Sequence, residues 1–79
     1  MSMDRHAMPQ YFFHIDGEQP FRDDSGVELR DDRAAWREAM RLARDIETNL
    51  SPGHGWCLQV CEGEMPVYRI VVASEYRSP

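Results

Sequence analysis

The segment RAAWREAMRLARDIETNL, residues 33–50, separates into an apolar and a polar face when it is wound as a helix. At roughly 100° per residue, one arc about 160° wide holds the apolar side chains. These side chains are Ala35, Trp36, Ala39, Met40, Leu42, Ala43, Ile46 and Leu50. The pattern predicts an amphipathic helix whose apolar arc packs against a second layer. Asp31 or Asp32 is the expected N-cap, and Ser51-Pro52-Gly53 is expected to end the helix.

The sequence before the helix has the pattern of a β-hairpin. Gln10–Ile15 is rich in aromatic residues and leads into a turn at Asp16-Gly17. A second extended segment is expected over residues 20–22, with Phe21 as its main apolar contribution. Residues 23–26, Asp-Asp-Ser-Gly, form a turn cluster.

The sequence after the helix predicts a second hairpin. Alternating apolar residues indicate strands over about residues 56–62 and 67–73, joined through Gly63-Glu64. The strand residues expected to face the helix are Tyr11, Phe13, Ile15, Trp56, Leu58, Val60, Tyr68, Ile70 and Val72. The order ββαββ predicts an α+β domain, in which one helix packs on a four-stranded antiparallel sheet.

Length and charge narrow the class of protein. A chain of 79 residues has room for one domain, expected over residues 8–73, with a flexible leader at 1–7 and a flexible tail at 74–79. The net charge of −5 argues against nonspecific binding to nucleic acid or anionic membranes. No stretch approaches the ~20 apolar residues of a membrane span, and the start lacks an apolar signal region. A cytoplasmic location is therefore expected.

The sheet face away from the helix is less polar than a solvated face. With only one helix, nothing else in a monomer is expected to cover it, and an exposed apolar patch of this kind favours an interface. The candidate interface residues are Phe12, His14, Cys57, Gln59, Cys61, Val67, Arg69 and Val71. A homodimer is the simplest form, and the alternative is a solvated face with scattered apolar residues.

The polar face of the helix carries a row of arginines. Arg33, Arg37, Arg41 and Arg44 fall within about 80° of one another. Like charges four residues apart repel, so a face built only for solubility more often alternates in sign. The row could meet an acidic surface or a phosphate backbone. The alternative is a solvated face in a chain whose nine basic residues are all arginine.

Three motifs and the second hairpin resemble a family of short uncharacterised bacterial domains, a domain-of-unknown-function family. The resemblance covers about residues 8–73. It rests on Met8-Pro9-Gln10-Tyr11-Phe12-Phe13-His14, Asp24-Ser25-Gly26-Val27-Glu28-Leu29, Ala34-Ala35, Glu38-Ala39, and Trp56, Leu58 and Val60. It implies a ββαββ fold that begins at Met8-Pro9, and it supplies no activity and no catalytic residue. Cys57 and Cys61 are not part of the family pattern.

Candidate reactive residues have simpler structural explanations. On one face of a strand, Cys57 and Cys61 would lie about 13 Å apart, too far for a disulfide. Ordinary small sheet residues are the favoured interpretation. His14 has no serine, cysteine or carboxylate placed beside it by local sequence, so a sheet-surface histidine is expected.

Acidic residues concentrate around the first hairpin. Such oxygens could bind a hard cation, but their spacing matches no known loop signature, and a solvated acidic end is expected. These residues are Asp16, Glu18, Asp23, Asp24 and Glu28. No catalytic residue, cofactor or metal is assigned.

Three functional hypotheses follow from the sequence. The leading one is a non-enzymatic protein-interaction module, homodimeric through the second sheet face and able to bind an unidentified protein partner. The alternative is an antitoxin-like or regulatory component that contacts nucleic acid through the arginine row. An enzyme using His14 with an acid of the first hairpin has the least support.

Overall fold

Residues 8–17 and 20–75 are described by a computed structural model, in which four strands and one helix form two layers. The elements are β1 (Gln10–Gly17), β2 (Val27–Glu28), α1 (Asp32–Thr48), β3 (Gly55–Glu62) and β4 (Met65–Ala73). The predicted α+β class and the order ββαββ are confirmed. The expected leader, residues 1–7, lies outside the described residues, as do residues 76–79 of the expected tail.

The four strands form one antiparallel sheet in the order β2-β1-β3-β4. The two long central strands, β1 and β3, pair along residues 11–17 and 56–62. The hairpin of β3 and β4 leaves the nine-residue β4 at one edge, and the two-residue β2 forms the other edge.

The second strand lies later in the chain than predicted. Phe21 forms only an isolated bridge with Ile15, through two backbone hydrogen bonds of 2.8 Å. The regular strand is β2, at Val27–Glu28. Between these two pairings, the backbone N–H of Phe13 donates to the Asp23 carboxylate at 3.2 Å. A side chain therefore takes the place of a strand partner and interrupts the pairing.

The helix begins and ends close to the predicted positions. Asp31 is the N-cap, and its side chain accepts a 2.9 Å hydrogen bond from the backbone N–H of Ala34. Asn49 is the C-cap, just before the Ser-Pro-Gly segment. Among the described residues, no helix combines the length and apolar character needed to cross a membrane.

The core lies between α1 and the facing side of the sheet. Its buried residues are Tyr11, Phe13, Ala35, Ala39, Ile46, Leu58 and Val60. Ala35 and Ala39 are fully buried, since their small side chains let the helix approach the sheet closely. Trp36 and Met40, expected in the apolar arc, stay 42% and 37% exposed at its margin.

A β-bulge changes the face on which one predicted interface residue lies. The register shifts between Val60 and Cys61, so that Val60 opposes Tyr68 while Cys61 opposes Pro66. The extra residue, Val67, packs against the core cluster. The prediction that Val67 lies on the face away from the helix is therefore wrong, because a bulge breaks the strict alternation of a strand.

A candidate binding groove on the outer face of the sheet

The face of the sheet away from α1, here called the outer face, brings the other predicted interface residues together. Opposed residues of neighbouring strands share a face. The pairs are Phe12 with Cys61, His14 with Gln59, Gln59 with Arg69, and Cys57 with Val71. Sequence alternation was sufficient to place these residues on one surface.

The outer face is partly covered by the connection between β1 and β2. The backbone N–H of Asp23 donates to His14 Nδ1 at 3.1 Å, and Gln10 Nε2 donates to the Ser25 carbonyl at 2.6 Å. Gly26 lies so close to the ring of Phe12 that a Cβ there would come within 2.9 Å of it. The expectation that nothing in a monomer covers this face is therefore wrong at its β1 end.

Asp23 holds this connection in place. Its carboxylate accepts hydrogen bonds from the backbone N–H groups of Phe13, Ser25 and Gly26, at 3.2, 3.0 and 3.0 Å. Burial by itself would raise the pKa of Asp23, but these three N–H donors outweigh burial and hold the pKa below its ordinary value. The carboxylate therefore serves the fold of the turn.

His14 is oriented by the same turn. Its Nδ1 accepts the hydrogen bond from Asp23, so Nε2 is the ring's N–H donor. The ring stacks on Phe12, with the two ring centres 6.3 Å apart and the planes 13° from parallel. Two half-buried rings thus lie next to each other on the outer face of β1.

An open groove of about 630 Å³ lies beside these rings, between the β1–β2 connection and the β3–β4 turn. Its floor comes from the outer face and consists of Phe12, His14, Gln59, Cys61 and Pro66. Its rim carries three carboxylates and one guanidinium, those of Asp23, Asp24, Glu64 and Arg22. Such a groove can bind an apolar group on its floor and a cation at its rim.

The rim was only partly predictable from the sequence. Asp23 and Asp24 were predicted as parts of a turn and of a solvated acidic end, and Glu64 only as part of a hairpin connection. The rim forms because the turn at residues 23–26 folds over the end of β1, and that placement depends on the long-range bond between Asp23 and His14.

The two cysteines are free thiols, as the strand spacing predicted. Cys61 is buried in the floor of the groove, and Cys57 Sγ accepts a 3.2 Å hydrogen bond from Arg69 Nε. Within residues 8–17 and 20–75, no three His, Cys, Asp or Glu side chains are grouped so that they could hold a metal ion.

The predicted arginine row lies on the exposed side of α1, and all four guanidinium-bearing residues are exposed. Arg41 pairs with Glu38, one turn earlier, through an Nε to Oε1 hydrogen bond of 3.3 Å and a second, shorter bond. The hydrogen bonds to Glu38 raise the pKa of Arg41. This ion pair reduces the positive charge at the centre of the row. Contact of this row with nucleic acid stays the alternative hypothesis.

The geometry defines a small two-layer ββαββ domain with a groove on the open face of its sheet. A model of the family described as Domain of unknown function (DUF6894) matches residues 10–73, which is most of the chain. The chain belongs to this family, and the resemblance found in the sequence motifs is confirmed. No curated protein matches the chain, and no solved structure matches it.

Proposed function

We propose that this protein is a non-enzymatic interaction module that binds a short basic segment of a partner protein in the groove on its outer face. The observation that carries the proposal is a rim in which three carboxylates outnumber one guanidinium, above a floor that is partly apolar. A peptide strand with an arginine or lysine side chain matches both parts, because such side chains combine an apolar stem with a cationic end.

The floor provides the apolar contact. The half-buried rings of Phe12 and His14 and the ring of Pro66 offer contact area to the aliphatic stem of such a side chain. Cys61 is only 7% exposed, so it adds depth without a reactive surface.

The rim provides the selectivity for a positively charged side chain. Asp24 and Glu64 are exposed, and they come from different turns on either side of the groove. The Asp23 carboxylate accepts three backbone N–H groups, so Asp24 and Glu64 are the carboxylates proposed to meet a cation. Charge-assisted hydrogen bonds from arginine to such carboxylates are the strong kind.

A peptide is favoured over a second flat sheet as the occupant of this surface. The turn at residues 23–26 rises over Phe12 and His14, and a facing sheet would have to displace it. The same turn counts against the enzyme hypothesis. His14 contacts Asp23 through the backbone N–H, and the carboxylate of Asp23 does not pair with the imidazole.

The proposal can be tested by NMR titration with two hexapeptides of matched length. One alternates arginine with valine, and the other alternates glutamate with valine. We expect the basic peptide to shift the backbone amide signals of His14, Asp24, Gln59 and Glu64, and the acidic peptide to leave them unchanged. Equal responses to both peptides, or shifts confined to α1, would contradict the proposal.

Charge variants sharpen the test. Asp24→Asn combined with Glu64→Gln removes both exposed rim carboxylates, and we expect it to weaken binding of the basic peptide roughly fivefold, since each exposed ion pair contributes ~0.5 kcal/mol. Asp45→Asn combined with Glu47→Gln is the matched control, because both are exposed acids on the helix and this variant also removes two negative charges. It should leave the affinity unchanged.

A further inference from the structure

We propose that a second copy of this chain pairs with the free edge of β4, so that two sheets join into one eight-stranded antiparallel sheet. The other edge of the sheet is only the two-residue β2. In contrast, β4 runs for nine residues and pairs only with β3 among the described residues. A long unpaired edge presents a row of backbone N–H and C=O groups to a further strand.

The backbone groups that face outward can be identified from the ladder. The N–H of Ser74 donates to the carbonyl of His54 at 2.9 Å, so residue 74 faces β3. Residues of an antiparallel strand alternate in direction, and the register from Trp56–Val72 to Val60–Tyr68 is uninterrupted. The N–H and C=O groups of Arg69, Val71 and Ala73 therefore point away from the sheet.

Apolar side chains lie beside this edge on both layers. On the outer face, Val71 is 62% exposed. On the helix side, Trp36 contacts Tyr68 of β4 edge to face, with ring centres 5.1 Å apart. Met40 borders a shallow depression against residues 70–73 of β4. Trp36 and Met40 are thus exposed above the strand whose edge is open.

Two-fold symmetry explains why a second copy fits. An axis at Ile70 places both helices on the same face, with Trp36 and Met40 of each copy directed toward the shared edge. The outward N–H and C=O groups of Arg69 in each copy then pair with those of Val71 in the other copy. In this register Arg69 does not oppose its own counterpart, so the like charges stay apart.

The contact area is close to what a specific dimer needs. Residues 67–73 overlap in this register, which gives a contact ~24 Å long at ~3.4 Å per residue. With a two-layer thickness of ~20 Å, both copies together bury roughly 1,000 Å², near the lower limit for stable interfaces. We therefore expect a dimer that dissociates at low protein concentration.

Charge substitutions at Val71 test both the interface and its register. Val71→Lys places a lysine opposite Arg69 of the second copy, and Val71→Glu places a carboxylate there. We expect sedimentation equilibrium between about 1 µM and 1 mM to show a concentration-dependent dimer for the unaltered chain. Val71→Lys should be monomeric throughout, and Val71→Glu should dimerise at least as well as the unaltered chain.

The opposite edge of the sheet supplies the control. Val27 is 41% exposed in β2, and Val27→Lys should dimerise normally. Hydrogen exchange adds a second readout, since the outward amides of Arg69 and Val71 should become protected only as the dimer forms. A chain that is monomeric at 1 mM would overturn the proposal. So would a dimer that Val71→Lys leaves intact, or one in which these two amides exchange freely.

Discussion

The hydroxyl of Tyr11 donates a 2.6 Å hydrogen bond to the carboxylate of Asp32, joining a central strand of the sheet to the first residue of the helix. The Tyr68 hydroxyl donates to the backbone carbonyl of the same aspartate at 2.9 Å. Two strands of the sheet, β1 and β4, therefore hold the start of α1. Asp31 completes the arrangement by capping the helix.

Tyr11→Phe should lower the free energy of unfolding by about 1.5 kcal/mol or more, the usual net value of a hydrogen bond to a charged group. The phenyl ring still fills the site of Tyr11, which is only 1% exposed, so the variant removes the hydrogen bond without leaving a cavity. Urea denaturation followed by tryptophan fluorescence measures the change. Tyr68→Phe is the comparison, and it should cost less because its bond to Asp32 is exposed.

The same residue predicts a loss of stability at alkaline pH. Burial, together with the hydrogen bond to Asp32, raises the pKa of Tyr11 well above its ordinary value of 10.0. The stabilising contribution is complete below pH 10 and falls as the pH rises further, since the unfolded tyrosine ionises first. Denaturation at several pH values above 10 should show a shallower decline for Tyr11→Phe. Equally steep losses of stability in the two chains would contradict the assignment of this pH dependence to Tyr11.

Asp23 predicts the opposite dependence at acid pH. The backbone hydrogen bonds lower its pKa below the ordinary value of 3.8, against the effect of burial. Its contribution to stability is therefore present above pH 3.8 and is lost as the pH falls through the lowered pKa. The free energy of unfolding, measured at neutral pH and in acid, should therefore fall further in the unaltered chain than in Asp23→Asn.

At neutral pH, Asp23→Asn should cost about 1–2 kcal/mol, because the amide nitrogen cannot accept from the half-buried N–H of Phe13. The side-chain oxygen can still accept from Ser25 and Gly26. Asp24→Asn is the control, since Asp24 is exposed and serves no backbone donor in β1. Equal destabilisation by the two variants would contradict the proposal that the Asp23 carboxylate stabilises the turn.

The features of the fold that the sequence predicts are those set by local periodicity. Period-two alternation placed Phe13 and Val60 on the helix side, and period 3.6 placed Ala35 and Ala39 opposite them. In each case the neighbouring residues along the chain decide which way a side chain faces.

The features that the sequence could not predict depend on contacts between distant residues. The bulge that moves Val67 onto the core side lies in a strand whose apolar residues suit either face. The turn over the groove depends on Asp23 reaching Phe13 and His14, ten and nine residues away. Neither contact leaves a periodic signal, so the position of β2 and the shape of the groove emerge only in three dimensions.

Gly26 and Gly63 provide a matched pair for testing how closely the turn packs over the groove. Both have a positive φ, +74° and +62°, so alanine at either position meets the same backbone strain of about 1–2 kcal/mol. At Gly63 a Cβ would meet nothing within 4 Å. At Gly26 it would lie 2.9 Å from both Phe12 Cε2 and Gln10 Nε2, closer than real contacts allow.

Gly26→Ala should therefore lose about 1 kcal/mol or more beyond the loss in Gly63→Ala, because Phe12 or the turn must shift. Thermal or urea unfolding of the two variants gives the difference directly. The displaced turn should also weaken the hydrogen bond from Asp23 to His14 Nδ1, which the ¹⁵N chemical shift of that imidazole nitrogen reports. Equal stabilities, with an unchanged His14 signal, would mean that the turn does not pack on Phe12 in solution.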